Sequence, residues 1–412
     1  TTSYKYDKAS QLLEMTDRTG RLIRFQYNDL GELVSENWLN ADLSPANVIQ
    51  YTYDAIGQLA QANDGFSSMV LTRDVLNRVT QEQMAGPNGI PTTFLDTTYD
   101  SVGNRLTLLD TTNSVVGATN TWTYDNRNRV KQLVQTGVGI APKRVDFAHN
   151  ALGQMTSLSR FADAAGQTSV AATAFAYDTL QRTTSIMHRN AASVVLNSFS
   201  YQYDTNSRIS RITDIDGATN YTYDSRDQLT GANHADVANP DETYAYDATG
   251  NRTASSLHGA GYKTGVGNRI DSDGAYDYSY NDVGNMVRRV TISSGAVREF
   301  AYDHRNRLVQ VSDRPSATSA ATQIVKYTYD LLNRRIAMNV DKTPADAIDG
   351  VITYFVNDGQ DVIADLIDSD GSGPASPVKS MRYLHGPAVD QILAQEDAVG
   401  TALWDLTDHL GS

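Results

Sequence analysis

The sequence predicts an all-β protein made of repeated β-hairpins, and three observations predict this fold class. The first is the composition, in which 41 Asp, 29 Gly and 23 Tyr stand against only 7 Glu and 8 Lys among 412 residues. Tyrosine favours strands, Asp and Gly favour tight turns, and the shortage of Glu and Lys argues against helices. The second and third observations are a motif that recurs along most of the chain and the regular spacing of its copies.

The charge balance and the apolar content limit the possible functions. The 34 Lys and Arg residues against 48 Asp and Glu residues give a formal net charge of −14, which disfavours binding to polyanionic nucleic acids. A hydrophobic content of 40% fits a folded chain, and no apolar run approaches the roughly 18 residues of a membrane-spanning helix. The lack of Cys excludes disulfide bonds, catalytic thiolates and cysteine zinc sites. We therefore expect no nucleic-acid partner and no membrane insertion by this segment.

The recurring motif has the pattern aromatic-x-Tyr-Asp. Seven of the spacings between adjacent copies are 20 to 27 residues, a period that fits one two-stranded unit per repeat. The ten Tyr-Asp pairs that we assign to the motif are Tyr6 and Asp7, Tyr53 and Asp54, Tyr99 and Asp100, Tyr124 and Asp125, Tyr177 and Asp178, Tyr203 and Asp204, Tyr223 and Asp224, Tyr246 and Asp247, Tyr302 and Asp303, and Tyr329 and Asp330. Close variants lie around Tyr27 and Tyr280, and worn copies around Asp74 and Asn150.

Each copy has the features of a β-hairpin. The aromatic residue and the Tyr stand at positions i and i+2, so their side chains lie on the same face of a strand. The Asp ends the strand, because its carboxylate can accept a hydrogen bond from the backbone two residues on. A Gly or Asn three residues after the Asp can adopt the positive φ of a tight turn. An aliphatic residue such as Leu59 or Val79 then begins the return strand.

The repeats are expected to depend on one another for stability. A single hairpin is marginal in water, so the units are expected to stack, with each Tyr against the Tyr residues of its neighbours. An Arg recurs near the start of the return strand, and we expect it to pair with the Asp of its own or an adjacent repeat. Such pairs contribute only about 0–1 kcal/mol each where they are exposed.

Tyr-Asp followed by Gly or Asn, Arg and Leu, repeated at this period, resembles the YD-repeat or RHS-repeat family. The family includes bacterial polymorphic toxins, shell components of insecticidal toxin complexes and, more distantly, teneurins. The resemblance assigns residues 1–345 to about 14 or 15 hairpin units, and residues 346–412 to a degenerate last repeat and the start of the RHS-associated core. By this resemblance the core-entry motif is the run Asp408, His409, Leu410, Gly411 and Ser412. Hairpins of this family join into one long sheet that spirals into a hollow shell, so the resemblance implies a segment of such a shell, here an incomplete one.

The resemblance also implies a function. Shells of this family enclose a C-terminal toxin or effector domain, and their core carries an aspartate-dependent self-cleavage site. This chain stops at Ser412, before the part of the core expected to carry that site, so we predict no catalytic residue, no enzyme activity and no cofactor. We expect a non-catalytic shell segment of a longer bacterial protein that is secreted or displayed at the cell surface. The expected partners are its own C-terminal toxin domain and the domains that plug the ends of the shell.

Two other functions remain open at this point. Exposed Tyr rows near Asp and Asn can bind sugars by stacking and hydrogen bonding, so an adhesion or carbohydrate-binding module with surface glycans as partners is the alternative. The two readings differ in the exposure of the Tyr rings, which are mostly buried in a cohesive ladder and exposed in a sugar-binding groove. A hydrolase has little support, because no nucleophile and base stand out together.

Three Asp-x-Asp-Gly runs suggest either turns or calcium sites. Paired carboxylates suit Ca²⁺, but the Glu that completes an EF-hand loop is missing after each run. The runs at Asp214 and Asp271 are therefore predicted to be Asp-Gly hairpin turns. The third run, with Asp368 and Asp370 ahead of a Gly- and Pro-containing loop, is a calcium candidate.

Overall fold

The computed structural model describes residues 1–87, 89–346, 350–371, 376–388 and 391–408. These residues form antiparallel strands joined by short turns, with one 3₁₀ turn at Val266–Asn268, so the all-β fold class is confirmed. None of the described residues lies in a helix long and apolar enough to cross a membrane. The strands are β1 (Ser3–Tyr6), β2 (Leu12–Thr16), β3 (Leu22–Tyr27), β4 (Leu33–Leu39), β5 (Pro45–Tyr53), β6 (Leu59–Asn63), β7 (Ser68–Arg73), β8 (Val79–Ala85), β9 (Thr93–Tyr99), β10 (Arg105–Thr112), β11 (Val115–Tyr124), β12 (Val130–Gly137), β13 (Ile140–His149), β14 (Met155–Phe161), β15 (Ser169–Tyr177), β16 (Thr183–Asn190), β17 (Val195–Tyr203), β18 (Ile209–Asp214), β19 (Gly217–Tyr223), β20 (Leu229–His234), β21 (Glu242–Tyr246), β22 (Arg252–Ser255), β23 (Tyr262–Thr264), β24 (Ile270–Asp273), β25 (Tyr276–Tyr280), β26 (Met286–Thr291), β27 (Val297–Tyr302), β28 (Leu308–Arg314), β29 (Gln323–Tyr329), β30 (Arg335–Asp341), β31 (Val351–Asp358), β32 (Asp361–Asp368), β33 (Val378–His385), β34 (Ile392–Asp397) and β35 (Ala402–Trp404).

The strands are distributed between two compact units. Unit 1 consists of residues 1–99, 107–118 and 278–383, and unit 2 of residues 100–106, 119–277 and 384–412. In unit 1, neighbours in chain order pair antiparallel from β1 to β9 and from β26 to β33. Each strand therefore pairs with the strand that follows it in the chain, as repeated hairpins require.

Unit 2 follows the same rule with one interruption. The ladder runs in chain order from β12 to β22 and again from β23 to β25, and β34 pairs with β35. Among the described residues from β22 to β23, the β-bridge is an isolated antiparallel one between Ser255 and Gly259. The hairpins thus form long antiparallel sheets, and the ladder is broken at this point in unit 2.

The core of each unit is formed by alternate residues of neighbouring strands. In unit 1 the buried cluster contains Ile23, Trp38, Ile49, Ala62, Met69 and Leu331. In unit 2 it contains Leu133, Val145, Phe147, Leu158, Leu384, Leu393 and Ala394. Each cluster therefore joins early repeats to residues that lie more than 200 positions later in the chain. These late residues belong to a turn in unit 1, at Leu331, and to β33 and β34 in unit 2.

The turns after the motif Asp adopt the predicted backbone. The residue three positions after the Asp has positive φ, for example 81° at Gly57, 59° at Asn128 and 60° at Asn306. Gln181 and Ser207 occupy the same position at 66° and 64°. The first two Asp-x-Asp-Gly runs are hairpin turns with positive φ at Gly217 and Gly274, as predicted.

The positive-φ position gives a direct test of the turn. Asn77 has φ of 65° in the turn between β7 and β8. We expect Asn77→Ala to lower the free energy of unfolding by about 1 kcal/mol, because Asn tolerates the left-handed region through local hydrogen bonds of its side chain, which Ala cannot make. Asn77→Gly should change it by less than about 0.5 kcal/mol, because Gly adopts this region freely.

Urea unfolding of both variants provides the measurement. Val75→Ala, two residues earlier in the same turn and 98% exposed, is the control and should behave like the unchanged chain. Equal stability of the Ala and Gly variants at Asn77 would contradict the strain argument.

Candidate functional site

The motif Asp closes its turn with both carboxylate oxygens. Asp204 Oδ1 accepts hydrogen bonds from the backbone N–H groups of Asn206 at 2.9 Å and Arg208 at 3.0 Å. Its Oδ2 accepts one from Arg208 Nε at 2.7 Å. One carboxylate therefore satisfies two backbone donors and one guanidinium, and a charge-assisted bond of this kind is stronger than a neutral one.

The same Asp–Arg geometry recurs along the chain, with Nε to Oδ2 distances of 2.6–2.7 Å. It occurs at Asp17 and Arg21, Asp74 and Arg78, Asp125 and Arg129, Asp178 and Arg182, Asp204 and Arg208, Asp303 and Arg307, and Asp330 and Arg334. The worn copies at Asp74 and Asn150 form the same turn as the complete ones. The sequence motif did not identify the turn at Asp17 and Arg21, because no Tyr precedes that Asp.

The motif Tyr joins its hairpin to the preceding one. Tyr203 on β17 donates from its hydroxyl to the carbonyl oxygen of Thr183, the first residue of β16, at 2.6 Å. This places a polar bond at the strand end and leaves the ring packed between repeats. Equivalent bonds of 2.7–3.0 Å run from Tyr27 to Leu12, Tyr53 to Leu33, Tyr99 to Val79, Tyr124 to Arg105, Tyr177 to Met155, Tyr223 to Ile209, Tyr246 to Leu229 and Tyr329 to Leu308.

The motif Arg also reaches the next repeat. The guanidinium carbon of Arg182 lies 4.4 Å from the ring centroid of Tyr203, and Arg208 stacks on Tyr223 at 4.5 Å. Arg182 Nη1 donates to Ser207 Oγ in the following turn at 3.0 Å. The recurring Arg thus pairs with the Asp of its own repeat, which is one of the two pairings that the sequence predicts. It also makes a cation–π contact with the Tyr of the next repeat. We call the Tyr, Asp and Arg of one repeat, with these contacts, the YD clamp.

The YD clamp shifts the pKa of some of its groups, as at Asp125, Tyr177 and Tyr203. Hydrogen bonds from the Arg129 side chain and from backbone N–H groups lower the pKa of Asp125 to about 2. Burial raises the pKa of Tyr203 and of Tyr177. A carboxylate that accepts three hydrogen bonds is stabilised in its ionised form, so the turn contacts and the pKa shift agree.

The motif Tyr rings are half-buried, with the exception of Tyr6 at the start of the chain, which is 58% exposed. Their hydroxyls contact backbone carbonyls and several of their faces carry an Arg. This arrangement favours the cohesive-ladder interpretation over a sugar-binding Tyr row. Tyr201, the first aromatic residue of one motif copy, is buried.

Buried ion pairs connect distant parts of each unit. In unit 1, Arg382 donates to both oxygens of Asp110, at 2.7 and 2.9 Å, and both side chains are buried. In unit 2, Lys143 and Glu396 form an ion pair in which both side chains are fully buried. Lys143 also donates to Gln135 Oε1 and to the Ala141 carbonyl, each at 3.0 Å. The sequence offered no signal for these pairings, because the partners lie more than 250 residues apart.

A polar network in unit 2 holds the C-terminal segment. Arg160 Nη1 donates to Thr173 Oγ1 at 2.7 Å, and Thr173 Oγ1 lies 2.9 Å from His188 Nδ1. Arg160 Nη2 then donates to the Asp405 carbonyl at 3.1 Å, and His188 Nε2 lies 3.1 Å from the Thr407 carbonyl. Burial lowers the pKa of His188, so the neutral ring donates from Nε2 to Thr407. The backbone up to Thr407 is thereby held against β14, β15 and β16.

Part of the predicted core motif lies beyond this anchor. Asp408 is the last described residue, and His409, Leu410, Gly411 and Ser412 lie outside the described residues. The assignment of residues 346–412 to a degenerate repeat and the start of a core stays a prediction.

The calcium candidate at Asp368 and Asp370 is only partly assembled. Burial raises the pKa of Asp368, and a hydrogen bond with the Asp370 side chain contributes. Within the described ranges, His, Asp and Glu side chains form no group of three or more that would hold a metal ion. The loop residues 372–375 lie outside the described residues. A calcium site here stays a prediction.

An open cleft of about 850 Å³ lies in unit 2 where the strand ladder is interrupted. It contains two His–carboxylate pairs, with His234 Nε2 3.6 Å from Glu242 Oε1 and His258 Nδ1 3.9 Å from Asp273 Oδ2. The Arg252 guanidinium stacks on the Tyr244 ring at 4.4 Å on its wall. Sequence reasoning did not point to this cleft, because its residues belong to the least regular repeats.

Comparisons with known proteins agree with this architecture. A family model described as the teneurin YD-shell matches residues 167–345. Toxin protein Tse5 of Pseudomonas aeruginosa is 29% identical over 168 residues, a match that covers 33% of this chain and 12% of Tse5. The crystal structure of TcdB2-TccC3-TEV matches with a TM-score of 0.67 and 16% identity, over 98% of this chain and 23% of that one. The Tc holotoxin pore of Photorhabdus luminescens matches with a TM-score of 0.70 and 16% identity, over 97% and 23%. These likenesses confirm the predicted fold, and the chain spans less than a quarter of the length of each relative.

The Tyr–carbonyl bond is testable at Tyr203. Tyr203→Phe keeps the ring under Arg182 but leaves the Thr183 carbonyl without its donor. We expect the free energy of unfolding, measured in urea, to fall by about 1 kcal/mol. The matched control is Tyr6→Phe on the exposed first strand, which should change it by less than about 0.5 kcal/mol. Equal losses in the two variants would contradict the proposed link between hairpins.

The buried pair in unit 2 is testable by a charge-removal cycle. Glu396→Gln leaves the Lys143 ammonium buried and uncompensated, so we expect a loss of about 3–5 kcal/mol in the free energy of unfolding. The double variant Lys143→Met with Glu396→Leu removes both charges and should recover most of that loss. A double variant as unstable as Glu396→Gln would show that packing, and not the charge pair, accounts for the effect.

Proposed function

We propose that the chain is an RHS/YD-repeat shell segment that forms part of a non-catalytic wall around an effector domain, which follows it in a longer, secreted bacterial protein. The observation that carries this proposal is the anchored C-terminal segment. Leu384, Leu393 and Ala394 lie in the core of unit 2, and the carbonyls of Asp405 and Thr407 are held by Arg160 and His188. A domain joined after this segment would begin at a fixed point against the repeats.

The known relatives support the same function. Tse5 is named a toxin protein, and the matched chains of TcdB2-TccC3 belong to Tc toxin structures. The ionised and fully bonded Asp residues of the YD clamp suit a wall better than a reaction centre. The further partners of this proposal are domains that close the ends of the shell.

Protease protection in the native polypeptide tests the proposal. The downstream domain, within the full polypeptide, should resist a broad-specificity protease under conditions that digest the same domain expressed alone. A wall variant that combines Glu396→Gln with Tyr203→Phe should lose this protection, and Tyr6→Phe should keep it. Digestion of the downstream domain at the same rate in both contexts, with the repeats intact, would overturn the proposal, as would a polypeptide without a downstream domain.

Carbohydrate binding is a second candidate because of the cleft at residues 234–273. Its walls carry Tyr rings, carboxylates and the Arg252 guanidinium, which are groups that stack on and hydrogen-bond to sugars. Binding of the 412-residue chain to a glycan array, with loss of the signal in Arg252→Ala, would support this function. An array without signal, while the chain remains folded by circular dichroism, would exclude this candidate for the glycans tested.

A further inference from the structure

The strands beside the interruption of the ladder in unit 2 are short. β21 and β22 are matched over three residue pairs, and β23 and β24 over three, whereas β15 and β16 are matched over seven. The β-bridge described at the interruption itself joins Ser255 to Gly259. Because the backbone hydrogen bonds of a ladder increase with the length of the paired strands, fewer of them hold the sheet together here. We call residues 252–273, which include the interruption, the seam.

The seam lies outside the apolar core of unit 2. Residues 250–280 are described without a gap, and the buried side chains among them are the polar Ser255, at 7% exposure, and Ser272, at 4%. The large apolar side chains of Leu257 and Val266 are exposed. Burial of apolar surface stabilises a fold by about 25 cal/mol per Å². The seam therefore gains little stability from burial.

Two glycines bring the backbones of the seam into direct contact. A β-carbon on Gly261 would lie 2.4 Å from the Cα atom of Gly274, and one on Gly274 would lie 2.9 Å from the His258 carbonyl oxygen. Separations this short leave no room for a side chain at either position. The connection between β22 and β23 therefore meets the end of β24 without a packed side chain between them.

The Tyr262 hydroxyl on β23 is the point at which side chains from both sides of the interruption meet. Its oxygen lies 3.1 Å from Ser255 Oγ on β22 and 3.4 Å from His258 Nδ1 in the connection. The Arg252 guanidinium on β22 donates to the same hydroxyl. The distance from His258 Nδ1 to Asp273 Oδ2 is 3.9 Å, which is longer than a hydrogen bond. Three groups that precede β23 thus converge on one phenol oxygen.

We propose that the seam is a local opening point of unit 2 and that the Tyr262 hydroxyl is the latch that holds it shut. When the latch is released, β22 and β23 separate, while the ladder from β12 to β20 and the apolar cluster around Leu133 and Leu384 stay intact, because neither shares a residue with the seam. Opening extends the cleft of about 850 Å³ into a gap in the sheet. The proposal rests on contacts within unit 2, so it stands or falls independently of an enclosed effector and of glycan binding.

Single thiols measure the opening, because the chain contains no native Cys. Ser255→Cys and Ser272→Cys place a thiol of similar size at the two buried seam positions. Ala171→Cys, at a position of 3% exposure on β15, is the matched control. The measured quantity is the rate of maleimide labelling in the folded 412-residue chain divided by the rate in the urea-unfolded chain.

We expect this ratio to be at least about 100-fold larger at the two seam positions than at residue 171. Low concentrations of urea should also accelerate labelling less steeply at the seam, because a local opening exposes less surface than global unfolding. Amide hydrogen exchange of the unchanged chain checks the same point without a substitution, and residues 252–264 should exchange faster than β15 and β16. Equal labelling ratios together with equal exchange would overturn the opening.

Tyr262→Phe tests the latch separately. Loss of the hydroxyl should raise the labelling rate of Ser272→Cys about tenfold, because the contacts of Ser255, His258 and Arg252 lose their common partner. Tyr244→Phe is the control in the same cleft, since its hydroxyl donates to Glu242 on its own strand, and it should leave the rate unchanged. Equal labelling rates in the two Phe variants would overturn the assignment of the latch to Tyr262.

Discussion

The hydrogen bond from most motif Tyr residues to a carbonyl of the preceding hairpin is the interaction on which the rest of the structure depends. An isolated hairpin buries too little surface to be stable in water, so every unit has to gain its stability from its neighbours. The Tyr meets this need with one side chain, because its ring packs between repeats while its hydroxyl satisfies a strand-end carbonyl, as at Tyr203 and Thr183. The Asp carboxylate fixes the adjacent turn, and the Arg carries the connection forward to the next ring.

Much of the repeat was predictable because its determinants are local. The strand face of the aromatic residues, the Asp-closed turn and the positive φ at residues such as Asn306 all follow from positions within about ten residues of one another. The worn copies at Asp74 and Asn150 also fold as predicted, since a carboxylate or an amide oxygen can accept the same two backbone N–H groups. The turn at Asp17 escaped notice because it uses the Asp–Arg pair without the Tyr.

The long-range features could not be predicted from the sequence in the same way. Gln135 and Lys143 lie opposite each other on the neighbouring strands β12 and β13, but this local pairing does not show that Glu396 completes the network. The strand ladder is interrupted between β22 and β23, and the cleft lies beside this interruption. Neither feature was predictable, because the sequence repeat is least regular there. A buried ion pair contributes little net stability, but it strongly penalises a mismatched partner. A late strand that packed in the wrong place would leave a charge of the Asp110–Arg382 or Lys143–Glu396 pair buried without its partner, which is energetically costly.

Strand pairing in chain order has a consequence for how the protein is made. Hairpins that pair only with their sequence neighbours have low contact order, so each one can fold as soon as it emerges and can use the previous hairpin as a template. Such vectorial assembly suits a chain that leaves a ribosome or crosses a secretion channel from one end, because no early strand has to wait for a distant partner. The contacts that do need the C-terminal segment, such as His188 with Thr407, form last. Unit 2 would then lock once the chain up to Thr407 has emerged.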